Sequence, residues 1–268
     1  MSEIDKKFVK RSFNTSAKTY DQYTSIQKST ITELLDQVNP DDFSITRALD
    51  IGAGTGNLTE GLIQRFPNSK IFGCDLADAM LVEARKKTGG QGIFCTADAE
   101  LLPYKNNSFE LVVSSFTFQW LNDWSRAMNE IKKVLKPGGT FSFTVFGSKT
   151  FFELRQSFKK ACVETGYSGG EPLELSTRKA GIIKNLLSTG FSDPVIRSYS
   201  VIEGYESVYS LIKSIRGMGA KNASNKRNRT PGVRTTLEKM VQIYEKDFKK
   251  ENRIPATFEI IAGRVQIL

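Results

Sequence analysis

"LDIGAGTGNLTEGL", residues 49–62, sets three glycines at alternate positions behind a short apolar run. A strand that runs into a glycine turn and then a helix opens a nucleotide-binding α/β unit. The spacing separates the ligand classes. Gly52, Gly54 and Gly56 give GxGxG, and the residue that the dinucleotide fingerprint GxGxxG requires as glycine is Asn57. No GK[ST] follows, which excludes a phosphate-cradling P-loop. Two residues before the first glycine stands Asp50, whose carboxylate would repel a pyrophosphate and suit a cation. Asp75 ends the second apolar run, 19 residues past Gly56, where an acid accepts both hydrogen bonds of a ribose diol. Asp98 ends the third, placed to accept from an adenine amino group while the Ala99 N–H serves a ring nitrogen.

Three acids closing three successive strands face one crevice, where open α/β sheets bind ligands. A cation, a ribose and an adenine together describe S-adenosylmethionine, and the glycines let the backbone approach it because a Cβ there would fill ligand space. Working outward, "RALDIG", "KIFGCDL", "GIFCTADA", "FELVVSSF" and "TFSFTVF" read as strands, with "LKPGG" a turn into the fifth. "NLTEGLIQRF", "ADAMLVEARKK" and "RAMNEIKKVL" read as intervening helices, which makes a parallel sheet covered on both faces. Past residue 150, "FFELRQSFKKACVETG" and "RKAGIIKNLLSTG" read as helices, the second closed by Gly190, and "DPVIRSYSVI" and "ATFEIIAGRVQI" as strands six and seven. Residues 205–253, between those two strands, are too long for a plain connection and read as a helical insertion over the active site. Residues 1–40 read as a helical segment ahead of the main domain, 41–268.

The 268 residues, 39% hydrophobic, suffice for a large core. Histidine is absent, which removes Ser-His-Asp and Cys-His catalysis, a histidine general base and histidine metal sites. Three cysteines without a CxxC argue against a disulfide framework or a metal site. No apolar run reaches membrane-spanning length and the charged start lacks a secretory signal, so a cytoplasmic protein is expected. The net charge of +9 is local: from Lys213 to Lys250 eleven Lys and Arg face three acids. A patch of that kind docks an acidic partner.

"LDIGAGTG", "DLADAML", "ADAELLPYKNNSFELVVSSFTFQW" and "LKPGG" resemble class I S-adenosylmethionine-dependent methyltransferases. The resemblance implies a Rossmann-like, seven-stranded, mostly parallel sheet with an antiparallel last strand. It also implies a cofactor site of Gln27, Asp50, Gly52, Ala53, Gly54, Gly56, Asp75, Leu76, Met80, Asp98, Ala99 and Ser114, with S-adenosylhomocysteine as product. "FNTSAKTYDQYTSIQ", "FQWLNDW", "FGSKTFFELRQSF" and "LIKSIRGMGA" are similar to the narrower family of malonyl-[acyl-carrier protein] O-methyltransferases of biotin synthesis. That family methylates the free carboxylate of a malonyl thioester, and its N-terminal segment covers the site as a lid.

On this resemblance Tyr20, Phe116, Gln119, Trp120, Lys149 and Arg216 are the expected acceptor residues, with Arg155 and Arg197 as further candidates for a carboxylate-binding cation. Phe118 and Trp124 compete as core. A malonyl carboxylate is ionised at neutral pH and needs no general base, so the catalytic demand is orientation. Lys221, Lys226, Arg227 and Arg229 are expected to steer an acidic acyl carrier protein; neither nucleic acid nor a membrane is an expected partner. A nucleic-acid enzyme of this class is disfavoured because "SSFTFQW" stands where an N/D-P-P-[YF] motif would be; a quinone-type C- or O-methyltransferase remains the alternative.

Overall fold

A computed structural model describes residues 4–38, 45–168, 179–219 and 232–267. The apolar runs form seven strands: β1 Arg47–Ile51, β2 Lys70–Asp75, β3 Ile93–Thr96, β4 Phe109–Ser115, β5 Leu135–Phe146, β6 Ser192–Tyr205 and β7 Ile254–Gln266. They make one sheet in the order β3-β2-β1-β4-β5-β7-β6. β1 to β5 pair in parallel, while β7 is antiparallel to both its neighbours, so β6 runs with the first five. From β1 the chain winds out to the β3 edge, then returns to lay β4 on the other side of β1. Ligands bind at the carboxyl ends of strands where the winding reverses in this way.

The central strands are buried on both faces, which is why they read as continuous apolar runs. Ala48 joins Ile71, Leu111 and Val113 in a core closed by α2 (Ser25–Asp36) and α3 (Asn57–Arg65). Leu49 and Ile51, pointing the other way, join Val112, Phe141 and Phe143 beneath α5 (Trp124–Val134) and α7 (Lys179–Ser188). Phe118 and Trp124 belong to this second core. By the same alternation Asp50 lies on the α3 face, a polar interruption in an otherwise apolar strand. α4 (Asp78–Lys87) flanks β2 and β3, and α1 (Lys6–Ser16) packs against α4.

The segment between β6 and β7 carries α8 (Val208–Gly217) and α9 (Val233–Phe248). Together with α6 (Phe152–Thr165) they enclose a third core of Phe158, Leu211, Ile215, Met240, Tyr244 and Phe258 beside the carboxyl ends of the strands. "LKPGG" differs from expectation. It is part of β5: Leu135 pairs with Phe109 and Thr140 with Leu111, so the residues between them bulge out, with Gly138 at φ +76° supplying the bend. Among the described residues no helix is long and apolar enough to cross a membrane.

Candidate active site

The three glycines of the β1–α3 turn are required for three different reasons. Gly52 has φ +75°, and a Cβ there would fall 1.9 Å from Thr117 Oγ1. Gly56, at φ +85°, caps α3 where a Cβ would meet Ala84 Cβ at 2.9 Å. Only Gly54, at φ +53°, faces open space, its nearest neighbour being Gly52 O at 4.0 Å. Room for a ligand therefore explains Gly54, whereas the protein's own packing explains the other two.

The Gly54 N–H donates to Asp75 Oδ2 at 2.9 Å and the Ala77 N–H to Oδ1 at 2.8 Å, fixing the carboxylate at the crest of β2. Burial nevertheless pushes its pKa up, and each oxygen keeps a lone pair for a further donor. Asp50 lies beneath the turn, 1% exposed. Its Oδ2 accepts from Thr59 Oγ1 at 2.7 Å, while its Oδ1 is buried without any partner. Burial raises its pKa to about 7, with the Thr59 hydrogen bond opposing and the Asp75 charge adding. A cation placed above would supply what Oδ1 lacks, so the donor set suits a sulfonium nucleoside with its ammonium group.

The turn opens onto a pocket lined by Gly52, Gly54, Asp75, Leu76, Met80, Asp98 and Ala99. Asp50, Ala53, Gly56 and Ser114 stand behind this lining: the Ala53 N–H is spent on Cys74 O, and Ser114 Oγ on Ile51 O. Asp98 is on the wall but engaged, its Oδ2 accepting from Lys6 Nζ at 2.6 Å.

That lysine comes from the N-terminal segment, which lies across the cavity. Lys6, Val9, Lys10 and Phe13 of α1 and Tyr20 of the following 3-10 turn all line it. Polar contacts pin the segment on every side. Lys6 reaches Glu100 at 2.9 Å as well as Asp98, and Lys10 reaches Asp78 at 2.9 Å. The α4 amide of Ala79 donates to Asn14 Oδ1. Asp21 accepts from Thr55 and Asn57 of the glycine turn and from Lys87 of α4. Partial burial works against this carboxylate, but those three donors prevail and hold it below the usual range. Burial beside Asp75 and Asp21 pushes the Tyr20 hydroxyl up, so it stays a neutral donor.

Beyond Phe13, Tyr20, Phe116 and Trp120, which line both spaces, a second, smaller space is bounded by Gln27, Gln119, Phe146, Phe151 and Met218. Gln27, expected on the cofactor, is on this chamber instead. Phe116 (φ +51°) and Phe151 (φ +55°) hold left-handed backbone unusual for aromatics, and the surrounding strands impose it: Phe116 N–H bonds Thr144 O and Phe151 N–H bonds Thr257 O.

The expected acceptor cations are elsewhere. Lys149 and Arg216 are exposed and line neither space. Arg155 donates to Ser148 O, and Arg197 lies in a groove against α2. No charged residue lines the second chamber among the described residues. Lys221, Lys226, Arg227 and Arg229 lie outside the described residues. Sequence reasoning did not find Lys6, Phe146, Phe151 or Met218. Lys6 sits in no quoted stretch; Phe146, Phe151 and Met218 lie within "FGSKTFFELRQSF" and "LIKSIRGMGA", but nothing in those stretches singles them out.

A methyltransferase-domain family model matches residues 49–143. The chain is 33% identical over 262 residues to the malonyl-[acyl-carrier protein] O-methyltransferase of Geobacter sulfurreducens, covering 97% of this chain and 98% of that one. Among solved structures, the YcgJ protein of Bacillus subtilis superposes with a TM-score of 0.61 at 15% identity, over 89% of this chain and 98% of that one. Phosphoethanolamine N-methyltransferase 2 of Haemonchus contortus, in complex with S-adenosyl-L-methionine, gives 0.55 at 19% identity, over 90% of this chain and 53% of that one. The chain belongs to the malonyl-[acyl-carrier protein] O-methyltransferase family.

Proposed function

We propose that this protein transfers a methyl group to the free carboxylate of a malonyl thioester held on an acyl carrier protein, giving a methyl ester. The observation that carries the reading is the aromatic-lined space beside the pocket of the glycine turn, in a chain akin over 97% of its length to an enzyme named for this reaction. S-adenosylmethionine, when bound, supplies a methyl carbon made electrophilic by its sulfonium. A carboxylate oxygen forms the new bond to that carbon as the carbon–sulfur bond breaks and the sulfur keeps the electron pair. No proton moves, which fits a chain without histidine.

The residues then act by placement. Asp75 receives the ribose diol, and Asp50, buried behind the lining, favours the cationic end through its charge. Asp98 meets the adenine once Lys6 yields it. Phe13, Tyr20, Phe116 and Trp120 surround the junction of the two spaces and exclude water from the reacting atoms. The segment up to residue 38 is a lid, and the insertion between β6 and β7 roofs the acceptor chamber through Met218. Its basic character, with Lys221, Lys226, Arg227 and Arg229, steers an acidic carrier. Esterification cancels a charge that chain elongation would otherwise have to bury, and the enzyme serves biotin synthesis in the cytoplasm.

The test is transfer of label from S-adenosylmethionine to malonyl-carrier protein as a base-labile methyl ester. No transfer, with transfer to a quinone precursor instead, overturns the reading. Charge reversal at Lys221, Lys226, Arg227 and Arg229 should raise KM for the carrier-bound substrate at least tenfold and flatten its salt dependence. A carrier-free malonyl thioester should be unaffected; equal loss with both substrates refutes the docking role.

A further inference from the structure

We propose that this protein pairs with a second copy of itself along the outer edge of β6, the two strands running antiparallel about a two-fold axis at Ser200. The sheet has two edges, and they are built differently. β3 is a strand of four residues, too short to template much pairing. β6 runs for fourteen residues, Ser192–Tyr205, and pairs with β7 on one side only. The usual protections of an edge are confined to its start, where Pro194 stands and the register to β7 shifts between Ser192 and Val195. From Val195 to Tyr205 the ladder to β7 is unbroken, and among the described residues no hydrogen bond meets the strand's backbone from the other side. Val195 and Ile202 are 58% and 67% exposed on this strand, where β-branched side chains ordinarily pack against a cross-strand neighbour.

The charges name the occupant. Between Val195 and Tyr205 the strand carries two charged residues, Arg197 and Glu203, each three positions from Ser200. Being six residues apart they share a face. Arg197 is exposed and has no ion pair among the described residues. Glu203 takes one hydrogen bond from Ser25 and one from Tyr205, which leaves lone pairs on its carboxylate for a cation. Antiparallel pairing about Ser200 sets each Arg197 opposite Glu203 of the second copy, so one symmetric contact makes two ion pairs. Centring the axis on Arg197 or on Glu203 would instead set like charges face to face. The charges thus select the register together with the partner. On the other face Ser198, Ser200 and Ile202 are all exposed, and the same register puts Ile202 opposite Ser198, so no two bulky side chains collide. α2 lies over β6, with Ser25 on Glu203 and Glu33 on Tyr199, so the pairing brings the two α2 helices to either side of the axis.

The experiment uses the full chain without ligand in analytical ultracentrifugation, up to about 0.1 mM. The parent should rise with concentration toward twice the chain mass. Arg197→Glu should weaken association about tenfold, because symmetry counts each lost attraction twice, and Arg197→Glu with Glu203→Arg should restore it to within about threefold. Thermal melts report that each variant is folded. Ser200→Cys brings two thiols face to face on strands whose paired Cα atoms are about 4.5–5.5 Å apart, within disulfide reach. Oxidation by diamide should therefore cross-link Ser200→Cys, and should leave Val195→Cys, far from its own copy across the axis, uncross-linked. A parent that remains monomeric, a dimer indifferent to Arg197→Glu, or a Ser200→Cys variant no more cross-linked than Val195→Cys overturns the proposal.

Discussion

Replacing Asp50 by Asn should stabilise the ligand-free protein while weakening its grip on the cofactor, and the stabilisation should depend on pH in a defined way. Asp50 is buried, shares one oxygen with Thr59 and leaves the other unpartnered. Its pKa is raised from 3.8 to about 7. Between those values the unfolded chain is ionised at this position while the folded chain keeps its proton. The folded state then binds more protons, so stability falls as pH rises through that window and is level above about 7. Each tenfold change in proton affinity is worth about 1.4 kcal/mol, which makes the full penalty about 4 kcal/mol. Asparagine avoids the ionisation cost but still buries an amide in need of a partner, which returns roughly 1–3 kcal/mol. The net gain at pH 8 is therefore about 2 kcal/mol, or roughly 4–8 °C in Tm for a chain of this size.

Urea unfolding of parent and variant, without ligand, from pH 4 to pH 8 reads the difference directly. The groups held low, Asp21, Asp78 and Glu110, lose stability in the opposite direction as pH falls, but they contribute equally to both proteins and cancel. The variant should be the less stable protein by about 2 kcal/mol at pH 4, overtake the parent as pH rises toward 7, and then lead by about 2 kcal/mol on a plateau. In calorimetry the parent should release a proton when it binds S-adenosylmethionine at pH 6, and the variant should bind at least tenfold more weakly without that release. A stability difference independent of pH would refute the assignment of Asp50 as a strained carboxylate awaiting a cation.

Gly54→Ala costs about 1–2 kcal/mol for its left-handed backbone, yet its methyl enters open cavity. Cofactor affinity measured by calorimetry should fall at least tenfold while Tm drops by only a few degrees; affinity within threefold of the parent would mean that nothing approaches the turn there. Gly52→Ala meets Thr117 head on and should instead lower Tm far more than Gly54→Ala in a thermal melt. Asp21→Asn removes the charged partner of Lys87, and limited proteolysis should cut α1 and α2 several-fold faster with the main unfolding transition nearly unmoved. Equal protection in both proteins would show that the clasp is not what holds the segment.

The fold was legible because its signals are local. Strand, turn and helix follow one another within "LDIGAGTGNLTEGL", and the three acids stand at strand ends that hydrophobic runs alone locate. Asp75 and Asp98 accordingly line the cavity. The roles of Gly52 and Gly56 were not legible, since they depend on Thr117 and Ala84 approaching from distant segments. The second space was harder still. Lys149 and Arg216 are plausible by charge type, but a side chain's presence in a chamber is decided by which face of α8 or which edge of β5 turns inward, and both residues turn to solvent. Gln27 and Gln119 stand in the stretches that carry the resemblance and were expected at the site, but the burial of their unpartnered amide oxygens is visible only in the fold.

The N-terminal segment ties these two halves into one device. It holds the glycine turn through Asp21, the Asp98 end of the cavity through Lys6, and the end of α8 through Ser12 on Gly219 O and Gln27 on Met218. Phe13 and Tyr20 form part of both walls, so the segment bounds the two spaces together. Its ion pairs are partly exposed, the Lys6–Asp98 pair by 25% and 30%. Pairs of that kind contribute up to about 1 kcal/mol each. Closure thus depends on many weak polar contacts around an apolar lining.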